Sequence, residues 1–339
     1  MDSIVTLNTQ HSLIGQDGMP QYGQLKAIPL QLGLPAFQYR NEMDNPASRW
    51  RKFFDYKQFQ FVSIVTSDYV VGVAIADIRY LVSGFCYVFD KQKEVLSEQQ
   101  WLRPLNIGAQ TQSSSWQSSA QIAKGRVQFV ISGGEWRIKL NTSTITADLC
   151  LQPLSDSEPL MLCTPTGYAG WTYTQKHNAL RVSGSLRINN QPQELSKASA
   201  GYDFSAGYMR RETSWRWASI NHRTDTVSIG LNLAAGVNET GACENVLWVN
   251  GVRHLLPSVS FQFFRLKPDL GWKISSQDGR VNLMFKPRCV RAEKKNFILL
   301  KSNFRQYVGH FSGAVIDGDG TRHELEHVLG LTEDHFAKW

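Results

Sequence analysis

The stretch GYDFSAGYMRRETSWRWASINHRTDTVSIGLNL, residues 201–233, decides how the chain is read. Trp215 and Trp217 are two apart, so on an extended strand both rings leave the same face. Asn221 to Asp225 then breaks the pattern. Beyond the break, Val227, Ile229, Leu231 and Leu233 alternate with Ser228, Gly230, Asn232 and Ala234. That alternation predicts a half-buried β-strand, and its polar-flecked face suits a barrel with a partly filled interior. Asp203 lies just upstream, and Gly207 after it permits a tight backbone. The same residues also have a plainer reading, as two core tryptophans and a turn-capping aspartate.

The composition is that of an ordinary soluble protein, with 42% hydrophobic and 19% charged residues in 339. Ten tryptophans stand out, because rings of that size fill barrels or line pockets for apolar ligands. Lys and Arg exceed Asp and Glu by 36 to 29, a formal charge of +7. The excess is dispersed, and neither a basic arm nor zinc-finger or helix-turn-helix spacing accompanies it, so no nucleic-acid partner is expected. A weak peripheral attraction to anionic membranes is compatible with the charge. Five cysteines without a CxxC pair argue against a disulfide framework or structural zinc. The start MDSIVTLNTQHS has no basic-then-apolar leader, and no apolar run approaches the ~18 residues of a membrane span, so a cytoplasmic location is expected.

Residues 1–48 read as an irregular arm. From Trp50 onward the pattern is one of strands, with Phe53–Val65, Tyr69–Ile78 and Leu81–Phe89 forming a meander. Turn signals recur about every 8–12 residues to the end, and no long amphipathic helix interrupts them, which predicts an all-β chain. Only Thr332–Trp339 reads as helical, with Thr332 as N-cap and Glu333 and Asp334 in the first turn.

HELEHVLGLTE at 323–333 spells a zinc-protease motif, but that chemistry needs His323 and His327 on a helix. Here the segment follows an Asp317–Gly320 hairpin turn and alternates like a strand, so no metal is expected, and no cofactor motif is legible. What remains is a set of polar residues in apolar strands. Asp203 and Glu244 are the candidate catalytic acids, since a carboxylate in an apolar barrel can serve as proton donor. Arg211, Trp215, Trp217, Asn232, Trp248, Gln306 and His310 are the candidate ligand contacts.

Several blocks carry a resemblance: RKFFDYKQF at 51–59, VVGVAIADIRY at 70–80, YDFSAGYMRRETSWRWAS at 202–219, IGLNLAAG at 229–236, ENVLWVNG at 244–251, and the run from Phe304 to Trp339. Together they resemble the bacterial domain-of-unknown-function family twenty-eight-oh-four. The Asp203…Gly207…Trp215-x-Trp217 block is distantly similar to the lipocalin-like superfamily of carotenoid 1,2-hydratase and the AttH proteins. That resemblance implies two calycin-like β-barrels packed together, with an apolar cavity between or within them for a terpenoid or polyketide. It carries over no catalytic residue, because the hydratases' His-Gln-Trp-Gly after the aspartate is Phe-Ser-Ala-Gly here, at 204–207. The expectation is therefore two lipocalin-like antiparallel barrels, 1–190 with its irregular arm and 191–339 with the signature block, and a short C-terminal helix. The expected function is binding of a hydrophobic lipid or isoprenoid-like molecule in a Trp-lined barrel cavity. The alternatives are acid-catalysed hydration, isomerisation or cyclisation of such a ligand, and a non-enzymatic interaction protein.

Overall fold

The computed structural model describes residues 9–237, 241–297 and 300–339. Most of residues 1–12, from which the absence of a secretory leader was expected, lie outside that set. In the first sheet, strands β1 (Lys57–Val65), β2 (Tyr69–Asp77), β3 (Leu81–Asp90), β4 (Val95–Pro104), β5 (Ala109–Thr111), β6 (Gln117–Ile122), β7 (Val127–Ser132), β8 (Glu135–Asn141), β9 (Ile145–Gln152), β10 (Gly170–Ile188) and β11 (Ser199–Gly207) follow one another. Their spatial order is β4-β3-β2-β1-β11-β10-β9-β8-β7-β6-β5. The ribbon curls into a nearly closed barrel, where Thr111 donates to Asp77 and Gln58 Nε2 donates to the Gln112 carbonyl at 3.0 Å.

Period-two burial explains these strands. In β8 and β9, Trp136, Ile138, Leu140, Ile145, Leu149 and Leu151 point inward, while Arg137 and Thr146 point out. The barrel interior is filled by its own side chains, among them Phe129, Trp136, Trp171, Tyr173 and Phe204. The N-terminal arm adds to that plug. Its Thr9–Ser12 segment pairs in parallel with Ile28–Gln31, and Leu13, Ile14, Ile28 and Phe37 join the barrel core.

The second sheet comprises β12 (Glu212–Arg223), β13 (Ser228–Ala235), β14 (Val246–Val249), β15 (Val252–Leu255), β16 (Val259–Phe263), β17 (Trp272–Ser276), β18 (Val281–Asn296), β19 (Lys301–Ile316) and β20 (Arg322–Lys338). Its order is β15-β14-β13-β12-β20-β19-β18-β17-β16. This is a half-barrel around Ile220, Leu231, Trp272, Phe285 and Phe311.

Four expectations need correction. The second unit is a half-barrel rather than a full barrel. The tail is the end of strand β20, not a helix, because it is paired on both sides, by β12 and β19, and this overrides the local capping signal. The one α-helix among the described residues is Arg49–Asp55, which had been read into a strand; Ser48 Oγ accepts from the Arg51 amide at 3.1 Å as its N-cap. The crossover between sheets lies after Gly207, later than residue 190, because β11 pairs with both β10 and β1. There Gly207 has φ 154°, and a Cβ on it would lie 2.1 Å from the Trp171 carbonyl oxygen.

The face of β13 bearing Ser228, Gly230, Asn232 and Ala234 turns toward the first barrel rather than into its own, since Ile229, Leu231 and Leu233 fill the half-barrel core. A bulge in β10 between His177 and Leu180 locks the two units together. It drives Asn178 into the second sheet, where Nδ2 reaches Ser219 Oγ at 2.7 Å and the Ile220 and Leu231 carbonyls at 3.1 and 3.2 Å. Asn221 answers with Oδ1 accepting from the Ala179 amide and Nδ2 donating to Ser63. Asn178→Ala is expected to lower stability by about 1–3 kcal/mol through buried acceptors left unmet, read as a shifted urea midpoint at unchanged m-value.

Candidate functional site

The outer surface of the barrel and the polar-flecked face of the half-barrel enclose a cavity of about 200 Å³. Strand register builds both walls. On the barrel side, Lys176, Asp203, Phe61, Ala74 and Phe85 form one cross-strand row over β10, β11, β1, β2 and β3. On the half-barrel, Ala234, Trp217, Glu333, Gln306 and Arg291 form another over β13, β12, β20, β19 and β18.

These rows face each other in step. Lys176 Nζ lies 3.0 Å from Glu244 Oε2, the Phe61 ring meets Trp217 edge-on at 5.7 Å, and the Arg291 guanidinium lies 3.8 Å over Phe85. Charge is therefore placed at both ends of an aromatic middle. Three strand spacings of ~4.8 Å separate Asp203 from Phe85, so the long axis is roughly 14 Å. The next row of the half-barrel, Trp215, His335, Phe304 and Glu293, extends the aromatic wall.

At one end, Lys176 donates to Asp203 Oδ2 at 2.6 Å while also touching Glu244. The side chains of Lys176, Asp203 and Glu244 are only 4%, 13% and 1% exposed, so the trio is a buried ionic cluster. Burial works against the Lys176 charge, yet Asp203 and Glu244 outweigh it and raise the ammonium pKa above its ordinary value. Ser205 donates to Asp203 Oδ1 at 3.0 Å, so both oxygens of Asp203 act as acceptors. At the other end, Arg291 is buried, with Nε 2.7 Å from Glu98 Oε2.

The middle also holds Glu333 and His335. Glu333 spends both oxygens within the protein, on Trp215 Nε1 at 2.8 Å and Gln306 Nε2 at 3.0 Å. His335 lies between the rings of Trp215 and Phe304, at 4.2 and 4.9 Å, and its Nε2 is paired with Ser302 Oγ at 2.9 Å. Its buried Nδ1 makes no hydrogen bond but lies 3.7 Å from Glu333 Oε1.

Of the residues singled out in the sequence, Asp203, Glu244, Trp215 and Trp217 line this cavity. Two others stand behind it. Asn232 accepts from Trp217 Nε1 at 2.7 Å and donates to the Glu244 carbonyl at 2.6 Å, fixing both. Gln306 links Tyr87 to Glu333. Three lie elsewhere. Arg211 is exposed, His310 faces His327 with ring centroids 6.0 Å apart, and Trp248 is buried away from the cavity, donating to the Glu158 carbonyl. Lys176, Arg291, Glu333 and His335 were not anticipated. The last two follow from the register of β20 once it is read as a strand, whereas nothing local marks Lys176.

The two histidines of the HExxH spelling do not converge, since His323 Nε2 pairs with Asp317 Oδ2 at 2.8 Å while His327 turns toward His310. His254, Asp317 and Asp319 bring possible ligand atoms within 4.8 Å of one another. That cluster is occupied by its own turn: Asp317 accepts from the Asp319 and Thr321 amides, and His254 Nδ1 accepts from the Gly318 amide.

A family model described as a domain of unknown function (DUF2804) matches residues 34–339, and the chain belongs to that family. Among solved structures, it is similar to a Nitrosomonas europaea protein assigned as an AttH, with a TM-score of 0.53 and 13% identity, covering 87% of this chain and 98% of that one. It is also similar to kievitone hydratase from Nectria haematococca, with a TM-score of 0.46 and 11% identity, covering 84% and 88%. At 13% identity the likeness to the Nitrosomonas protein is one of fold. No curated protein matches the sequence significantly.

Proposed function

We propose that this family member binds a hydrophobic small molecule, of lipid or isoprenoid type, in the cavity between its barrel and half-barrel. The observation that carries the reading is the pair of facing rows. Phe59, Phe61, Phe85, Trp215, Trp217 and Phe304 wall a space open to a ligand, with charged groups at both ends and the hydrogen-bonded Glu333 between them. The barrel interior, by contrast, is filled by its own side chains, so the ligand belongs at the junction.

A second reading is acid-catalysed hydration, isomerisation or cyclisation of that ligand. It is favoured by the fact that both Asp203 and Glu244 line the cavity. The hydrogen bonding weighs against Asp203 as donor, because Lys176 and Ser205 occupy its two oxygens. Binding without chemistry is the reading the arrangement supports best.

Native mass spectrometry with lipid extraction, on protein purified from its own host, tests this. A stoichiometric apolar ligand is expected, and Asp203→Asn should retain it without accumulating a chemically altered form. Protein that is reproducibly empty, and whose tryptophan emission added cis-parinaric acid does not quench, would overturn the binding reading. A precursor that builds up only in Asp203→Asn would favour catalysis.

A further inference from the structure

Strands β12, β19 and β20 have a second face, opposite the cavity, and there the register sets Arg216, Asp334 and Arg305 side by side. Arg265, from the turn after β16, joins them around a pocket of about 350 Å³. Its Nε and Nη2 lie 2.7 and 3.0 Å from the two oxygens of Asp334. That bidentate pair satisfies the carboxylate. Arg216 Nε pairs with Oδ1 at 3.4 Å and Arg305 Nη1 donates a long hydrogen bond to Oδ2, also at 3.4 Å, both weaker than a charge-assisted bond of ~2.7–2.9 Å.

Among the described residues Asp334 is the one acid lining this pocket, so three guanidinium groups against one carboxylate leave two positive charges in excess. Ser214 and Asn303 complete the polar wall, and the buried Asn303 Oδ1 has no hydrogen-bond partner.

We propose that this pocket binds a phosphoryl group, free or esterified, through Arg216 and Arg305. The guanidinium fork matches phosphate oxygens in geometry, and the surplus of two charges matches a phosphate dianion. A monoprotonated phosphate can also donate its hydroxyl to Asn303 Oδ1. Because neighbouring residues on a strand point to opposite faces, this site lies back-to-back with the Trp215–His335 row and is independent of the apolar ligand.

The test is calorimetric titration of the full chain with inorganic phosphate at constant ionic strength, with chloride as the reference anion. Saturable binding is expected, weakened about tenfold by Arg216→Gln or Arg305→Gln, the equivalent of one charge-assisted hydrogen bond. Arg305→Lys, which keeps the charge but loses the fork, should fall between, and thermal unfolding checks that each variant is folded. Flotation with phosphatidic acid vesicles separates the sources. Vesicle binding competed by free phosphate points to a lipid headgroup, and phosphate binding without vesicle binding points to a soluble ester. Wild-type protein that prefers phosphate no more than chloride, or binding that survives both glutamine substitutions, would overturn the proposal.

Discussion

Lys176→Met is expected to lower the free energy of unfolding by about 3–5 kcal/mol, a large share of the ~5–15 kcal/mol that holds a typical domain. The ammonium lies within 3.0 Å of two carboxylates in a site where Glu244 is 1% exposed. Removing it leaves two buried like charges facing each other without the ammonium between them. Methionine keeps the volume, so the loss reads the charge rather than a cavity. Lys176→Met combined with Glu244→Gln should recover part of the deficit, because only one carboxylate then lacks its partner, and the departure from additivity measures the coupling. The pH dependence has a definite sign. The Lys176 pKa is raised in the folded state, so its contribution is fully present below the ordinary value of 10.5 and is lost as pH rises beyond it. On the alkaline side the gap between wild type and variant should therefore narrow only above about 10.5. A gap that is absent at pH 7 in denaturant titrations would mean that the cluster does not stabilise the fold.

That cluster also marks the limit of what the residues alone convey. Alternation along residues 215–233 correctly placed Trp215 and Trp217 on one face and the aliphatic residues of β13 on a core face. It could not say which body would cover the polar-flecked side, and so a face that meets another sheet was assigned to a barrel lumen. Asp203 and Glu244 were legible as carboxylates in apolar strands. Their lysine was not, because a single lysine in Thr-Tyr-Thr-Gln-Lys-His-Asn is by default a solvent-facing side chain. Only the register of β10 against β11, with the second sheet folded over it, buries Lys176. Glu333 and His335 were hidden differently: Thr-Glu-Asp imitates a helix start, and what outcompetes this signal is pairing with the hairpin partner β19 on one side and the sequence-distant β12 on the other. Trp248 and His310 had the right residue type for a pocket but belong to surfaces that turn elsewhere. Residue type and period specify a face, and tertiary pairing decides what the face meets.

Ala76→Phe is expected to abolish ligand occupancy, reducing the bound fraction in native mass spectra at least tenfold, while leaving the ligand-free protein folded. Ala76 lies on the cavity wall, paired across strands with Phe59 and Ser83, which line the same space. It is only partly buried, so a phenyl ring there enters the cavity instead of pressing into packed core, where overfilling would cost about 1–3 kcal/mol. Linkage gives a second readout. A ligand at a hundred times its dissociation constant stabilises the native state by about 2.7 kcal/mol, so wild type loaded with its ligand should melt above the stripped protein, and Ala76→Phe should show no such difference. Trp248→Phe supplies the contrast, since that tryptophan packs with Leu160 and Val246 outside the cavity, and its variant should keep the ligand and the melting shift. If Ala76→Phe still carries stoichiometric ligand while Trp248→Phe loses it, the junction is not the binding site. The ligand would then have to lie on the Trp248 side of the second sheet.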